Sequence, residues 1–504
     1  MAEATVKQSE AVAWLQDGGP GTAFNPYAVG EDGMSLTGKS IPIIGLGPVY
    51  GRDRNGKPLV INVNETAPGD LPTLTITIFE KASLTVLDNL YERKCPINLQ
   101  LRYVECGVLD NPFLWDKINH WSRGQMTTYN PGDGPSLEYD GTLMQASGSI
   151  MFREVITIVR NVLSALVTTE IEDLLSITGL PDEDCNECGT GYPGADKILF
   201  IGAQGGAATG NVLSSGDGGA TWTALSTDPF SNVGEGADFV ACRIMNDNVV
   251  RVIAACGTTA AGSPVQYSYV DLTFGDLTTA TWVAKTLTQA TNGDVATAML
   301  WPRHDRLYIA TDANEIYIDE QQGEDGTMVA AYSGAAQVNA FGVSGDGKYV
   351  WAVGASNFIA RESNQSGVFE VRNGPSGGGA FTSVAVADDD TLFAGNGQIL
   401  YRTYDNALEA GNWVALKDFG AGFTVKKIGL IKGDSQIIRA VVSSATAGEV
   451  WESIDGGNSW RQIPDVTNDG FNDAYFSEQK ANEAVVVGNA DLTPLGQVFQ
   501  LSPQ

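Results

Sequence analysis

The sequence predicts a mainly β chain in two parts: an N-terminal β-sandwich or barrel domain with one flanking helix over residues 1–180, and a C-terminal β-propeller of seven blades over residues 197–504. Three observations predict it. A chain of 504 residues exceeds one ordinary core, so at least two domains are expected. With 43% hydrophobic and 18% charged residues beside 59 glycines and 20 prolines, the composition is that of a turn-rich globular β protein. After residue 196, short β-type runs fall into groups of four about every 40 residues, a propeller period.

The first 180 residues show no such period. Leu71–Glu80, LPTLTITIFE, and Pro96–Gly107, PINLQLRYVECG, alternate apolar and polar positions as two half-buried strands of one sheet do. Between them Leu84, Leu87, Leu90 and Tyr91 fall at helical spacing behind Ser83 as N-cap. Gly148–Phe152 and Val155–Val159 read as further strands, whereas Asn161–Ile177 fits strand or helix equally. Asp17–Gly38 and Asn130–Gly141 are glycine- and proline-rich arms, too extended for a compact domain and of a kind that reaches neighbouring subunits.

The domain junction is placed at Gly179–Asp196, GLPDEDCNECGTGYPGAD, with residues 181–196 as linker. Cys185 and Cys188 form a single CxxC there, half of a zinc site with the other half missing; reduced thiols are the first reading and a local disulfide the second. Six cysteines in so long a chain do not make a disulfide framework. Blade-sized groups follow at Lys197–Leu225, Phe239–Leu287, Thr297–Tyr332, Asn339–Asn373, Thr382–Lys417, Thr424–Ile463 and Phe471–Ser502. The first and last groups each look one strand short, which points to ring closure through both ends of the domain; six or eight blades stay open.

Two stretches match S-x-D-x-G-x-[ST]-W: Ser215, Asp217, Gly219, Thr221 and Trp222 in SGDGGATW, and Ser453, Asp455, Gly457, Ser459 and Trp460 in SIDGGNSW. Each reads as a hairpin turn in which the aspartate accepts backbone N–H groups, the glycines permit positive φ, and the tryptophan packs beneath the turn with its N–H on a local acceptor. TATWVA at Trp282 and GNWVAL at Trp413 keep the tryptophan and lose the aspartate.

On these motifs the last 310 or so residues resemble the Asp-box propellers, the family of sialidases, photosystem II assembly factors and many virion proteins. The resemblance implies boxes on the propeller rim that serve architecture. An active sialidase of that family would add an Arg-Ile-Pro-like leading strand and three converging arginines. Here the leading strand is DKILFIGAQGG, and Arg243, Arg303, Arg361, Arg402 and Arg439 follow no motif. ADDDTLF, with Asp388–Asp390, and SGDGKYVW, Ser344–Trp351, read as ordinary turns, and calcium at such turns has no ligand-spacing match. No phosphate loop or nucleophile elbow is found; GLGPVYG, Gly45–Gly51, lacks the lysine of a nucleotide loop. The expectation is a protein that is not an enzyme and carries no cofactor or metal.

A formal charge of −30 repels phosphate backbones and anionic lipid, so neither nucleic acid nor a membrane surface is an expected direct partner. The N-terminus lacks a secretory pattern, and the longest apolar stretch, Val155–Thr168, falls short of the roughly 20 residues a bilayer needs. Layout, arms and acidity together resemble bacteriophage tail-tube proteins. That resemblance implies a virion protein assembled in the host cytoplasm, with homo-oligomeric rings or tubes, other virion proteins as partners, and a displayed propeller that meets a host surface glycan or protein. The first alternative is a propeller binding module, cellular or virion, for a protein or glycan; the second is a sialidase-like glycosidase.

Overall fold

The computed structural model describes strand segments between residues 10 and 104, then residues 115–130, 146–151, 154–166 and 173–180, and residues 197–503 apart from short loop stretches. Two compact units result, Met1–Arg160 and Asn161–Gln504.

In the second unit, seven four-stranded antiparallel sheets follow one another along the chain. The first sheet contains Leu174–Gly179, Leu199–Ala203, Val212–Ser215 and Thr223–Ala224. The second to sixth are continuous in sequence, from Phe239–Thr286 through Ala296–Ser333, Val338–Val371 and Phe381–Asp418 to Thr424–Ile463. The seventh combines Phe471–Phe476, Ala484–Gly488 and Gln497–Pro503 with Asn161–Leu166 as its outermost strand. The innermost strand of each sheet packs against that of the next, and Phe471–Phe476 of the seventh returns to Leu174–Gly179 of the first. This is a propeller.

The residues explain the layering. Second strands such as LFIGA (199–203), LFAGN (392–396), IRAVVS (438–443) and AVVVG (484–488) are buried along their whole length, because both faces meet a neighbouring sheet. Fourth strands such as VAKT (283–286) and VALKD (414–418) are mostly exposed. Where the chain crosses into the innermost strand it runs against the end of the second: a Cβ on Gly202 would lie 2.0 Å from Ala237 O, and one on Gly354 1.8 Å from Gln337 O. Only glycine fits there.

One expectation about this region is corrected. The junction lies at residue 160, not 180: Asn161–Leu166 and Leu174–Gly179 are both strands, the first pairing with Val498–Pro503 and the second with Leu199–Ala203. These supply the strand that the first and last groups each lacked. The ambiguity over 161–177 is thereby resolved to two strands, in which Leu163, Leu174 and Ile177 are buried. The linker 181–196, with Cys185 and Cys188, lies outside the described residues.

The first unit contains an eight-stranded antiparallel sheet in the order Asn25–Tyr27, Glu10–Gln16, Ile97–Val104, Trp115–Asn130, Ala146–Met151, Thr73–Ile78 and Met34–Leu36, with Glu154–Val159 also on Trp115–Asn130. The strands read at 71–80 and 96–107 do share this sheet, and Val49–Arg52 pairs with Pro58–Asn62 in a separate ribbon. Part of the first arm is short strand, at 25–27 and 34–36. The expected helix at 83–94 lies outside the described residues except for Tyr91, which is helical and exposed. Leu99, Ile118, Trp121 and Ile158 are buried, as is a polar cluster in which Arg102 Nη2 donates to Gln100 Oε1 at 2.8 Å.

Candidate functional site

The two motif turns have the same geometry. Ser215 donates to Asp217 Oδ1 (2.8 Å) and accepts from Gly219 N (2.9 Å), while Asp217 accepts from Thr221 N (2.9 Å) and Thr221 Oγ1 (2.6 Å). Ser453 donates to Asp455 Oδ1 (2.9 Å) and accepts from Gly457 N (2.8 Å); Asp455 accepts from Ser459 N (2.8 Å) and from Ser459 Oγ. Each serine is the last residue of a third strand, and the third and fourth residues after it have positive φ: 79° and 93° at Gly218 and Gly219, 68° and 90° at Gly456 and Gly457. The carboxylate thus replaces ladder bonds that the turn cannot make. For Asp217 burial raises the pKa, but the bonds from Thr221 and Ser215 outweigh it and hold the carboxyl below the usual range. The boxes stand on the first and sixth sheets, so they do not converge on one site.

Sequence reading missed further turns of this kind. Thr403 also ends a third strand and donates to Asp405 Oδ1 (2.6 Å); Asp405 Oδ2 accepts from Glu409 N (3.1 Å) and Asn412 Nδ2 (2.8 Å). Asn406 and Ala407 take the two positive-φ places, at 57° and 53°. The box before Trp413 therefore keeps its aspartate, displaced by extra residues in the turn. Before Trp282, Asp276 accepts from Thr278 N (3.0 Å) and Thr279 N (3.1 Å), so this turn also keeps an acid. In the third sheet Asp319 takes the serine's place, accepting from Gln321 N (2.6 Å) and Gly323 N. The signal was a Ser, Thr or Asp at the end of the third strand in the first six sheets, visible only once strands are aligned.

These turns also join sheets. Gln500, on the third strand of the seventh sheet, donates to Gly218 O (3.0 Å) of the first, and Arg402, on the third strand of the fifth, donates to Gly456 O of the sixth. Arg251 of the second sheet donates to Gln322 O (3.2 Å) of the third and pairs with Asp271 and Glu324, both at 2.7 Å. The indoles of Trp282 and Trp413 donate to Thr227 O (2.8 Å) and Asn373 O (2.7 Å) in the links that leave the preceding sheets. Trp460 finds the local acceptor expected of it, Gly457 O at 3.0 Å, whereas Trp222 is buried with its N–H unpaired.

The five arginines left without a motif have partners on their own or the adjoining sheet. Arg243 donates to Trp301 O (3.0 Å), Arg439 pairs with Glu452 (2.9 Å), and Arg303 lies 3.7 Å from Asp305. Arg361 stacks on Tyr349 with its Cζ 4.7 Å from the ring centroid, and Arg402 is on Gly456 O. Glu452 sits between Arg439 and Arg461; burial raises its pKa, but the two guanidinium groups outweigh that and hold it ionised. Ser344 closes its turn on Tyr349 N (3.0 Å), while Asp388–Asp390 lie outside the described residues. Among the described residues no group of three or more His, Cys, Asp or Glu could hold a metal ion.

The opposite end of the ring has its own repeated feature. In six of the seven sheets the innermost strand bulges near its start, at the second residue in five and at the third, Lys426, in the sixth sheet. Four of these residues donate to a carbonyl at the start of the innermost strand of the next sheet: Thr297 to Val338 O (2.6 Å), Asn339 to Phe381 O (2.7 Å), Thr382 to Val425 O (2.6 Å) and Asn472 to Leu174 O (3.0 Å). Between the sixth and seventh sheets Lys427 pairs with Asp473 at 3.1 Å instead. A polar girdle thus staples the inner strands where loops enter. Beside it Asp238, which accepts from Gly257 N at 2.6 Å, is pushed up to about 6 by burial.

No protein-family model matches the chain, and no curated protein is similar to it. Among solved structures it is similar to "YCF48 bound to D1 peptide", at 15% identity and TM-score 0.49 over 68% of this chain and 97% of that one. YCF48 from Cyanidioschyzon merolae follows at 14% and 0.49, over 68% and 99%. The WD40 β-propeller domain of Doa1 is 12% identical with TM-score 0.46, over 68% and 97%. At these identities the similarity concerns the fold alone.

Proposed function

We propose that the chain is a binding protein without catalytic activity, whose seven sheets form one closed seven-bladed ring that holds a protein partner at its loop-bearing end. The observation that carries this reading is a contrast within the propeller. Box turns and girdle repeat around the ring, while the loops rising beside the girdle differ from sheet to sheet. The link between second and third strands is 397–398 in the fifth sheet and 256–265 in the second; the link into the innermost strand is 334–337 before the fourth sheet and 225–238 before the second. A stiff frame with variable loops at one end is how scaffolds present binding residues.

The test uses the immobilised full chain and identifies proteins it retains. Replacing residues 257–264 by a Gly-Ser turn is expected to abolish retention of a specific partner, and deleting residues 1–160 to leave it intact. Retention that ignores the loops, or that needs residues 1–160, contradicts the reading; so does turnover of a fluorogenic glycoside that is lost on changing one arginine.

A second reading, a phage tail-tube subunit in a virion, is favoured by the first unit. Among the described residues its sheet ends at both margins on three-residue strands, Asn25–Tyr27 and Met34–Leu36, whose outer sides pair with no other described strand, edges of the kind through which subunits pair. Electron microscopy of purified protein separates the readings: rings or tubes with peripheral knobs favour the tail, monomers at all concentrations contradict it.

A further inference from the structure

We infer that the outer rim of the fourth and fifth sheets is a second docking surface, for an extended, basic and apolar segment of a partner protein. Among the described residues of the propeller seven large hydrophobic side chains are exposed, and five of them, Val368, Val371, Tyr404, Leu408 and Val414, lie on these two adjacent sheets. They are 59%, 63%, 40%, 54% and 49% exposed, values that decide against a core role. The two sheets are tied at this point, since Asn373 donates through its backbone N–H to Ala407 O (2.9 Å) and through Nδ2 to Leu408 O (2.6 Å). The apolar residues therefore form one patch across the junction.

Val414 opens its fourth strand; the matching residues of the first and sixth sheets are the polar Thr223 and Arg461, and those of the second and third are Val283 and Val329, each the single exposed large hydrophobic described on its sheet. Val414–Asp418 is also the edge of its sheet, with the side away from Ile399–Thr403 paired to no other strand among the described residues. An exposed edge beside apolar side chains is suited to an added strand.

Charge selects the occupant. The exposed charged residues around the patch are Glu370, Glu409 and Asp418. Of the nearby cations, Arg372 is paired to Glu370 at 2.7 Å, and Lys417 has its Nζ 4.3 Å from the Trp451 ring centroid. A second copy of a chain with net charge −30 would be repelled, whereas a segment alternating basic and apolar residues meets both carboxylates and valines. This surface is on the rim and not at the loop end, so it stands or falls separately from the loop-end reading.

The probe is a fluorescein-labelled peptide, (Lys-Val)5, titrated with the full chain and read by anisotropy, with (Lys-Ser)5 and (Glu-Val)5 as controls. (Lys-Val)5 is expected to bind best, and Val371→Ser with Leu408→Ser and Val414→Ser to weaken it about tenfold. Val283→Ser with Val329→Ser, on the second and third sheets, should leave binding unchanged. Glu409→Lys should weaken (Lys-Val)5 without removing any apolar contact, which keeps the test decisive if the triple variant misfolds. Equal binding of (Lys-Ser)5, absence of binding, or indifference to both the triple variant and Glu409→Lys overturns the proposal. Replacing residues 257–264 should not affect the peptide, so failure here and failure of the loop-end reading are distinguishable.

Discussion

The first and sixth sheets carry the same turn in different settings. Both boxes make the same set of side-chain bonds, yet Asp217 is exposed and Asp455 is 8% exposed. The difference comes from what lies around each turn. The carbonyl of Gly218 is met by an amide, Gln500, and that of Gly456 by a buried guanidinium, Arg402. Behind the second box lies the buried Arg439–Glu452–Arg461 cluster; Thr223 stands where the sixth sheet has Arg461. The tryptophans differ in the opposite sense: Trp222 is buried, Trp460 only half-buried. The motif sets the turn's conformation, and the neighbouring sheet sets how much stability depends on it.

The largest test of that contrast is Glu452→Gln, which leaves buried Arg439 without its ionic partner and should cost about 3–5 kcal/mol in denaturant unfolding. Because the carboxyl is held below its ordinary pKa, its contribution is present at neutral pH and is lost as pH falls through the folded value, so wild type and variant should converge in acid. Next, Trp222→Ala should cost about 3 kcal/mol and Trp460→Ala about 1–2 kcal/mol. Equal losses would show that burial does not separate the two corners.

Asp238 at the girdle end offers the reverse case. Its pKa is raised to about 6, so ionising it opposes folding, and stability falls as pH rises from the unfolded pKa near 4 toward 6. Asp238→Asn, which can still accept from Gly257 N, should stabilise the propeller by on the order of 1–2 kcal/mol at pH 7 and have little effect at pH 3.5. A gain that does not depend on pH would contradict the assignment.

Much of the propeller was legible because its signals are local. Strand alternation, glycine turns and two full boxes lie within short windows, and each predicted group from Phe239 to Ile463 falls on one sheet. Asn161–Leu166 was ambiguous because its partner, Val498–Pro503, is at the other end of the chain. The junction was misplaced because glycine, proline and acidic residues can stand between two paired strands, here Leu174–Gly179 and Leu199–Ala203, as readily as at a domain border. Asp405 escaped notice because extra residues separate it from Trp413, and Asp319 because an acid stands in the serine's place. Thr297, Asn339, Thr382 and Asn472 carry no motif; their role depends on a bulge and on the carbonyl of another sheet.

The most direct test of the central claim, that the boxes are corners of a scaffold whose strength is set by the adjoining sheet, is denaturant unfolding of Asp217→Ala and Asp455→Ala measured side by side. Both should lower the midpoint, Asp455→Ala by about 2 kcal/mol and Asp217→Ala by less than about 1 kcal/mol. Unchanged stability in both, or a larger loss at Asp217, would contradict it.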